Sequence, residues 1–333
     1  MTSATAFILL VILIAFIFDF INGFHDAANS IAMIVTTGVL TPRQAVAWAA
    51  FFNFIAFLVF KLMVANTIGA GLIDTSIVDA SLIFSALIGA IFWNLVTWYY
   101  GLPSSSSHAL VGGLAGAALA KAGFSALKLS GFIKVIAGIF FSPVLGLILS
   151  FLLTWILTLL FKNKPEKAML RLFKGMQLIS SAMLSLTHGG NDAQKTMGII
   201  AVLLFSASWL GDTFYVPFWV VLSCHLVISL GTLAGGWRIV HTLGGKITSI
   251  NTLRGCAVET GAAMVIFAAT DYGIPVSTTH TVTGAVAGVG LLGEGTNWYI
   301  VRRIFFSWLL TIPAAALVAA AIMACFKYMC SSG

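Results

Sequence analysis

Charged residues are scarce in this 333-residue chain, where Asp, Glu, Lys and Arg together make up 8%. A soluble globular domain has about 25% charged residues, so a soluble protein is excluded. Hydrophobic residues reach 60%, and the mean hydropathy is +1.05. The apolar runs are long and continuous rather than short and alternating, which excludes barrel strands and predicts membrane-spanning helices. The sequence therefore predicts an all-α polytopic membrane protein.

Cysteine is equally rare. Four are present, and their spacing matches no metal site and requires no disulfide bond: Cys224, Cys256, Cys325 and Cys330. Nor does the net charge of +7 indicate a nucleic-acid partner, because five of the seventeen Lys and Arg residues lie within 162–175. Such a cluster is typical of a cytoplasmic loop. Because no Lys or Arg precedes Arg43, the amino terminus is expected outside.

The chain contains an internal duplication. The stretch 22–30, Asn-Gly-Phe-His-Asp-Ala-Ala-Asn-Ser, is matched 166 positions later by 188–196. The stretch 100–108 is matched 172 positions later by 272–280, and two shorter matches keep the same order. The predicted units are a first transmembrane repeat, a basic cytoplasmic linker and a second transmembrane repeat, over 1–161, 162–175 and 176–333. If both termini lie outside and the linker lies inside, each repeat crosses the membrane an odd number of times. The two repeats then have inverted topology.

Both copies of the first stretch bring polar groups to a depth where a membrane helix should still be crossing. Such groups are costly there and usually face a cavity or a partner. We expect them to interrupt the apolar helices. We also expect the short segments 27–40 and 105–120 to be re-entrant half-helices that line a protein-enclosed cavity. Acidic, Gly-containing interruptions in both halves indicate a transporter binding site.

The second stretch places hydroxyl groups where a helix is predicted to begin, directly after a proline. Each half contributes a row of three: Ser105, Ser106 and Ser107 in the first, Ser277, Thr278 and Thr279 in the second. The free backbone N–H groups and the positive dipole end of such a helix bind anions. Two such starts meeting at the midplane are predicted to hold one tetrahedral oxyanion. The alternative is that the hydroxyls only cap helices or ease close helix packing.

The carboxylates of Asp26 and Asp192 would repel an oxyanion unless cations enter with it. With the amides of Asn29 and Asn191 they offer hard oxygen ligands suited to sodium or to proton exchange. This gives symport a physical reason, because a cation that neutralises the carboxylates admits the anion. The alternative for Asp192 is an ion pair with Lys195, whereas Asp26 has no Lys or Arg nearby in the sequence.

Three further polar residues bear on the coupling ion. Glu259 is a third carboxylate in an apolar run, predicted to be either a coupling residue or the partner of Arg254. Asn53 is predicted to form an interhelical hydrogen bond. His25 stands beside Asp26, and because a histidine titrates near neutral pH, it favours protons as the driving ion.

The paired Gly-Xaa-Asn/His-Asp and Gly-Xaa-Pro-Xaa-Ser-Ser/Thr-Ser/Thr-His motifs resemble those of the inorganic phosphate transporter (PiT) family, over about 6–326. The resemblance implies a dimeric, inverted-repeat symporter of inorganic phosphate, carried alone or as a metal–phosphate complex. The implied phosphate ligands are the two hydroxyl rows with Asn22 and Asn191. If sodium is the coupling ion, the resemblance places it on Asp26, Asn29 and Asp192.

Two departures from the family pattern concern the coupling ion. His25 stands where the family often has Asn, and Asn53 stands where sodium-coupled members often have Glu. With the short central loop, these departures resemble bacterial, proton-coupled members. They imply a multi-pass protein of the bacterial inner membrane, surrounded by lipid.

Other functions compete with phosphate symport. Sulfate is also a tetrahedral oxyanion, but it has no proton to offer Asp26 or Asp192. An anion channel also uses re-entrant half-helices, although buried carboxylates in both repeats suit a coupled cycle better. An enzyme is disfavoured because the motif copies are symmetric, while catalysis needs distinct acid and base roles. No cofactor is expected beyond a co-transported proton or sodium.

Overall fold

The chain folds into α-helices throughout the part that the computed structural model describes, residues 3–293 and 295–331. The side chain of Cys330 and the outermost residues of the predicted repeats lie outside that part. The first half contains α1 (Ser3–Thr36), α2 (Pro42–Ile55), α3 (Met63–Gly71), α4 (Ala80–Tyr99), α5 (Ser106–Ala122) and α6 (Leu129–Phe161). The second contains α7 (Glu166–Ser206), α8 (Phe218–Ala234), α9 (Trp237–His241), α10 (Thr252–Asp271), α11 (Thr278–Gly290) and α12 (Trp298–Ser331).

Among the described residues, five helices are long and apolar enough to cross a membrane: α1, α4, α6, α10 and α12. The number rises to seven if each of two bent helix pairs counts as one span. These helices expose large apolar side chains, among them Phe140, Phe141 and Trp155 on α6. A surface of this kind is stable against lipid rather than water, and backbone groups paired within helices need no water there. The prediction of an all-α, multi-pass membrane protein is confirmed.

The polar stretch 22–30 lies inside the unbroken helix α1. The expected interruption, and the expected half-helix over 27–40, are therefore wrong. Gly23 has a packing role instead, because a Cβ there would collide with the backbone carbonyl of Ile228 on α8. Small residues at such crossings let two membrane helices approach closely, and one glycine costs a helix only about 1 kcal/mol.

The second copy of this stretch, 188–196, is likewise helical throughout, within the 41-residue helix α7. Because α7 begins at Glu166 directly after Pro165, only 162–165 of the expected linker 162–175 is non-helical. The rest of the predicted linker forms the first part of α7. A proline just before a helix is tolerated, since the first N–H groups of a helix have no intrahelical partner.

The two short helices start at the hydroxyl rows, as predicted. Ser105 and Ser277 directly precede α5 and α11, and each hydroxyl oxygen accepts a hydrogen bond at 3.2 Å from the backbone N–H of His108 or His280. The helices have 17 and 13 residues, fewer than the about 20 that a full crossing needs. The two helix starts meet, because the rings of His108 and His280 lie 4.5 Å apart.

Breaks in the backbone occur between other helices. The pairs α2–α3 and α8–α9 are bent by 80° and 63°, and α9 continues into a π-helical turn, Thr242–Lys246. Gly235, at the second bend, has a φ of +70°, which glycine adopts at no steric cost. The two bent pairs occupy corresponding places in the two halves, which agrees with the duplication. The inversion of the halves remains a prediction.

Each short helix is held by a long helix of the other half, since α5 packs along α12 and α11 packs along α6. The contacts are close: a Cβ at Gly116 would collide with the backbone of Ala316, and a Cβ at Gly284 with that of Pro143. This exchange fixes the two hydroxyl rows in the centre of the molecule, where α1 and α7 also pass.

Candidate functional site

The carboxylate of Asp26 on α1 joins the two hydroxyl rows. Its Oδ2 accepts a hydrogen bond from Ser106 Oγ on α5 at 3.1 Å, and its Oδ1 accepts one from Thr279 Oγ1 on α11 at 3.3 Å. Asp26 is only 2% exposed. A carboxylate buried to this degree needs such donors, because an unpaired buried charge is very costly.

His25 and Asn29 complete this half of the cluster. His25 Nδ1 lies 2.8 Å from Asp26 Oδ1, and His25 Nε2 lies 3.1 Å from Thr97 Oγ1 on α4. One turn further along α1, Asn29 Nδ2 donates to the hydroxyls of Thr278 and Thr279 at 3.2 and 2.9 Å. Asp26 and Asn29 therefore face the hydroxyl row of the other half.

Asp192 on α7 is paired with Lys195. Lys195 Nζ donates to Asp192 Oδ1 at 2.5 Å, to Val276 O at 3.1 Å and to Ser107 Oγ. The other carboxylate oxygen, Asp192 Oδ2, accepts from Thr278 Oγ1 at 3.3 Å. The ion pair considered from the sequence is present, and it lies within the cluster formed by the motifs.

The two halves share one buried space. One carboxylate oxygen each of Asp26 and Asp192 and one ring nitrogen of His188, atoms able to bind a metal ion, all lie within 4.8 Å of one another. Two carboxylates this close destabilise each other unless positive charge lies beside them. Lys195 supplies one such charge at Asp192. Carboxylate, amide and hydroxyl oxygens are the ligands that hard cations prefer, so the residues around Asp26 fit a sodium ion or a proton as a co-transported substrate.

Several predicted ligands have other roles in this conformation. The hydroxyls of Ser105 and Ser277 are occupied in capping α5 and α11, which is the alternative considered for the rows. Asn191 Nδ2 donates to Thr270 Oγ1 on α10 at 2.8 Å. Asn22 is buried, and neither atom of its amide has a hydrogen-bond partner among the described residues. These four residues therefore lie outside the hydrogen-bonded cluster in this conformation, and their role as phosphate ligands stays a prediction.

Glu259 lies outside the cluster, on the face of α10 that packs against α7. Its carboxylate accepts hydrogen bonds from Ser180 Oγ at 2.6 Å and from Gln177 Nε2 at 3.4 Å. Arg254 donates instead to the backbone and side chain of Ser249. Of the two alternatives for Glu259, the pairing with Arg254 is therefore wrong, and the role as a coupling residue stays a prediction.

One residue near the cluster, His188, received no role from the sequence. His188 Nε2 lies 3.3 Å from Asp192 Oδ2, within ion-pair range but without hydrogen-bond alignment. Its Nδ1 lies 3.2 Å from Asn53 Oδ1, and Asn53 Nδ2 donates to Thr232 Oγ1 on α8 at 2.9 Å. The interhelical hydrogen bond of Asn53 is thus confirmed. The signal for His188 was its spacing, four residues before Asp192 and therefore one helical turn away.

A cavity lined in part by basic side chains lies between the end of α4 and the segment of α9 with its π-helical turn. Its volume is about 670 Å³, and its lining includes Tyr99, Arg238, His241 and Lys246. Arg238 Nη1 donates to Tyr99 O at 2.6 Å. A cavity lined by positive charge raises the local concentration of anions.

Comparison with known proteins agrees with this geometry. A model of the phosphate transporter family matches residues 22–319. The chain is 56% identical over 324 residues to a probable low-affinity inorganic phosphate transporter of Rhizobium meliloti (strain 1021), covering 96% of this chain and 97% of that protein. It is 43% identical over 316 residues to a protein of the same name from Bacillus subtilis (strain 168), with 94% and 95% coverage.

A solved structure is also similar. The protein described as the sodium-dependent phosphate transporter superposes with a TM-score of 0.89 at 28% sequence identity, over 97% of this chain and 99% of that one. These matches are to transporters and not to enzymes. Because the family model and the relatives cover nearly the whole chain, this multi-pass membrane protein belongs to the phosphate transporter family.

Proposed function

We propose that this chain is a secondary active symporter that carries inorganic phosphate together with a cation. The observation that carries the proposal is the position of Asp26, whose carboxylate accepts hydrogen bonds from the hydroxyl rows of both halves. The similar proteins are named as phosphate transporters, which supports phosphate as the substrate.

Phosphate is proposed to bind at the starts of α5 and α11. Ser106, Ser107, Thr278 and Thr279 point hydroxyls into the shared space between the two carboxylates. The positive dipole ends and free N–H groups of both helices add to these donors. Donors of this kind hold an oxyanion by hydrogen bonds, without a dedicated arginine.

The same hydroxyls provide a mechanism of coupling. A hydroxyl has a single proton to donate, and those of Ser106 and Thr278 now go to Asp26 and Asp192. When phosphate takes these donors, the carboxylates lose their partners in a buried site. A cation at Asp26 replaces the lost donors and cancels the charge, so phosphate and cation each strengthen the binding of the other.

The cation is proposed to sit on Asp26, with the amide oxygen of Asn29 beside it. Either sodium or a proton fills this role chemically: sodium through the oxygen ligands, the proton by neutralising the carboxylate. His25 at 2.8 Å from Asp26 favours the proton, whereas the name of the structural neighbour favours sodium. Separate gradients of the two ions distinguish them.

The test is uptake of radioactive phosphate by purified protein in proteoliposomes. An inward gradient of one cation should drive accumulation above the external concentration, and collapsing that gradient should stop it. A channel would only equilibrate phosphate. Excess sulfate should leave phosphate uptake unchanged. If sulfate competes as well as phosphate does, the substrate is tetrahedral oxyanions in general and not phosphate alone.

Three features of the assembly are part of the proposal: inverted repeats, a homodimer and the bacterial inner membrane. The matched bent pairs α2–α3 and α8–α9 support the repeats, and the bacterial relatives support the location. The dimer follows from the family resemblance alone. Light scattering with correction for bound detergent measures the mass of the protein component and decides between monomer and dimer.

A further inference from the structure

The two halves of the site differ at one matched position. Asn29 follows Asp26 by three residues, and Lys195 follows Asp192 by three residues. Asp192 matches Asp26 and Lys195 matches Asn29, each 166 positions later. Three residues on a helix place both side chains on the same face as their aspartate. An amide in one half is therefore replaced by an ammonium in the other.

The hydrogen bonds show that the two side chains occupy equivalent places. Asn29 Nδ2 reaches across to Thr279 Oγ1 in the hydroxyl row of the second half. Lys195 Nζ reaches across to Ser107 Oγ in the row of the first half. Ser107 and Thr279 are themselves matched, 172 positions apart. Asn29 and Lys195 are each 1% exposed.

The surroundings of the ammonium resemble a cation site. Its three partners are a carboxylate oxygen of Asp192, a hydroxyl oxygen of Ser107 and the backbone carbonyl oxygen of Val276. These are the oxygen types that hard cations such as sodium use as ligands. A buried ion pair is weak evidence for stability, so stabilisation of the fold alone does not account for a lysine at the centre of this cluster.

We propose that Lys195 is a cation built into the chain, which occupies the second-half counterpart of the cation position at Asp26. Its charge takes the place of one co-transported cation. A site with Asn at both position 29 and position 195 would need one more cation for each phosphate than this site does. Lys195 thereby sets the stoichiometry of the carrier. This inference rests on the proposed function, because it assigns the cation requirement of the same site.

The substitution Lys195→Asn tests the proposal, since it gives the second half the residue found in the first. It should create a sodium site at Asp192. Purified wild type and variant are heated in detergent, without phosphate, over a series of sodium concentrations, with potassium keeping the ionic strength constant. We expect sodium at about ten times its dissociation constant to raise the melting temperature of the variant by roughly 2–4 °C more than that of wild type.

Three matched variants separate charge from packing. Lys195→Arg keeps the positive charge and should not gain the sodium response. Lys195→Met removes the charge but offers no oxygen ligand, so it should gain less than Lys195→Asn. Lys121→Asn makes the same change in the ion pair with Asp79, at 2.5 Å and partly exposed, and should behave like wild type.

The outcomes decide the matter independently of transport. An equal sodium response in wild type and Lys195→Asn would overturn the proposal. If folded Lys195→Asn protein is recovered only when sodium is present throughout purification, the proposal is supported. If sodium does not restore the yield of folded protein, the ammonium is needed for the fold itself and the proposal fails. Absence of phosphate uptake by wild type would refute the proposed symport but leave the sodium comparison valid.

Discussion

Replacing Asp26 by asparagine should separate phosphate binding from coupling. The substitution keeps the size of the side chain and removes one negative charge from a residue that is 2% exposed. In the mechanism proposed above, a cation must neutralise Asp26 before phosphate binds well. Asparagine is permanently neutral, so phosphate should bind to the variant without a cation at this position.

The size of the effect follows from the geometry around Ser106. Its hydroxyl lies 3.1 Å from Asp26 Oδ2, and a phosphate oxygen bound to the same hydroxyl would lie about 5 Å from that carboxylate oxygen. Two unit charges at about 5 Å repel by about 3 kcal/mol at an effective dielectric constant of about 20. Removing that repulsion should tighten cation-free binding of phosphate by up to about a hundredfold.

Two assays on the same purified variant check this prediction. Equilibrium binding of phosphate in detergent, with sodium absent and pH fixed, should give a lower Kd for Asp26→Asn than for wild type. In proteoliposomes, the variant should exchange internal for external phosphate but should not accumulate it against a gradient. The matched control is Asp79→Asn, a half-exposed carboxylate paired with Lys121, which should leave both assays unchanged. Gradient-driven accumulation by Asp26→Asn, or weaker cation-free binding than in wild type, would refute the reasoning.

Three further predictions concern other parts of the molecule. Ser106→Ala and Thr278→Ala should each weaken phosphate binding by about 0.5–3 kcal/mol, because each loses one hydrogen bond. The Kd for phosphate measures this, and an unchanged Kd in both variants would show that phosphate binds at another site. A cysteine at Asn163, in a chain without its native cysteines, should resist an impermeant thiol reagent in intact cells and react after lysis; rapid labelling of intact cells would reverse the topology. Gly23→Ala should lower stability by about 1–3 kcal/mol, because the new Cβ meets the carbonyl of Ile228; an unchanged melting temperature would show that α1 and α8 separate easily.

Repetition was the information in the sequence that predicted most. One copy of a polar motif is ambiguous, but two copies in register identified the duplication and the starts of α5 and α11. Local chemistry was sufficient for those starts, since proline followed by hydroxyl residues favours a helix start in any surroundings. The observed capping by Ser105 and Ser277 is of this local kind.

The expected breaks at 22–30 and 188–196 were wrong for a physical reason. Glycine and buried polar residues predict a break only when no neighbour pairs with the polar groups or fills the space beside the glycine. In the folded chain, α8 packs against Gly23, and hydroxyls from α5 and α11 bond to Asp26. Those neighbours are distant in the sequence, so no local pattern contains them.

The sequence by itself determined the class of protein, its internal duplication and the residue types of the site. Those properties depend on composition and on short motifs, which act over one or two helical turns. Only the tertiary structure decided that Lys195 reaches the hydroxyl row of the other half, that Glu259 lies away from the cluster and that α1 stays continuous. Each of these depends on how the two halves pack together, and energies of packing between distant segments are not encoded in either segment alone.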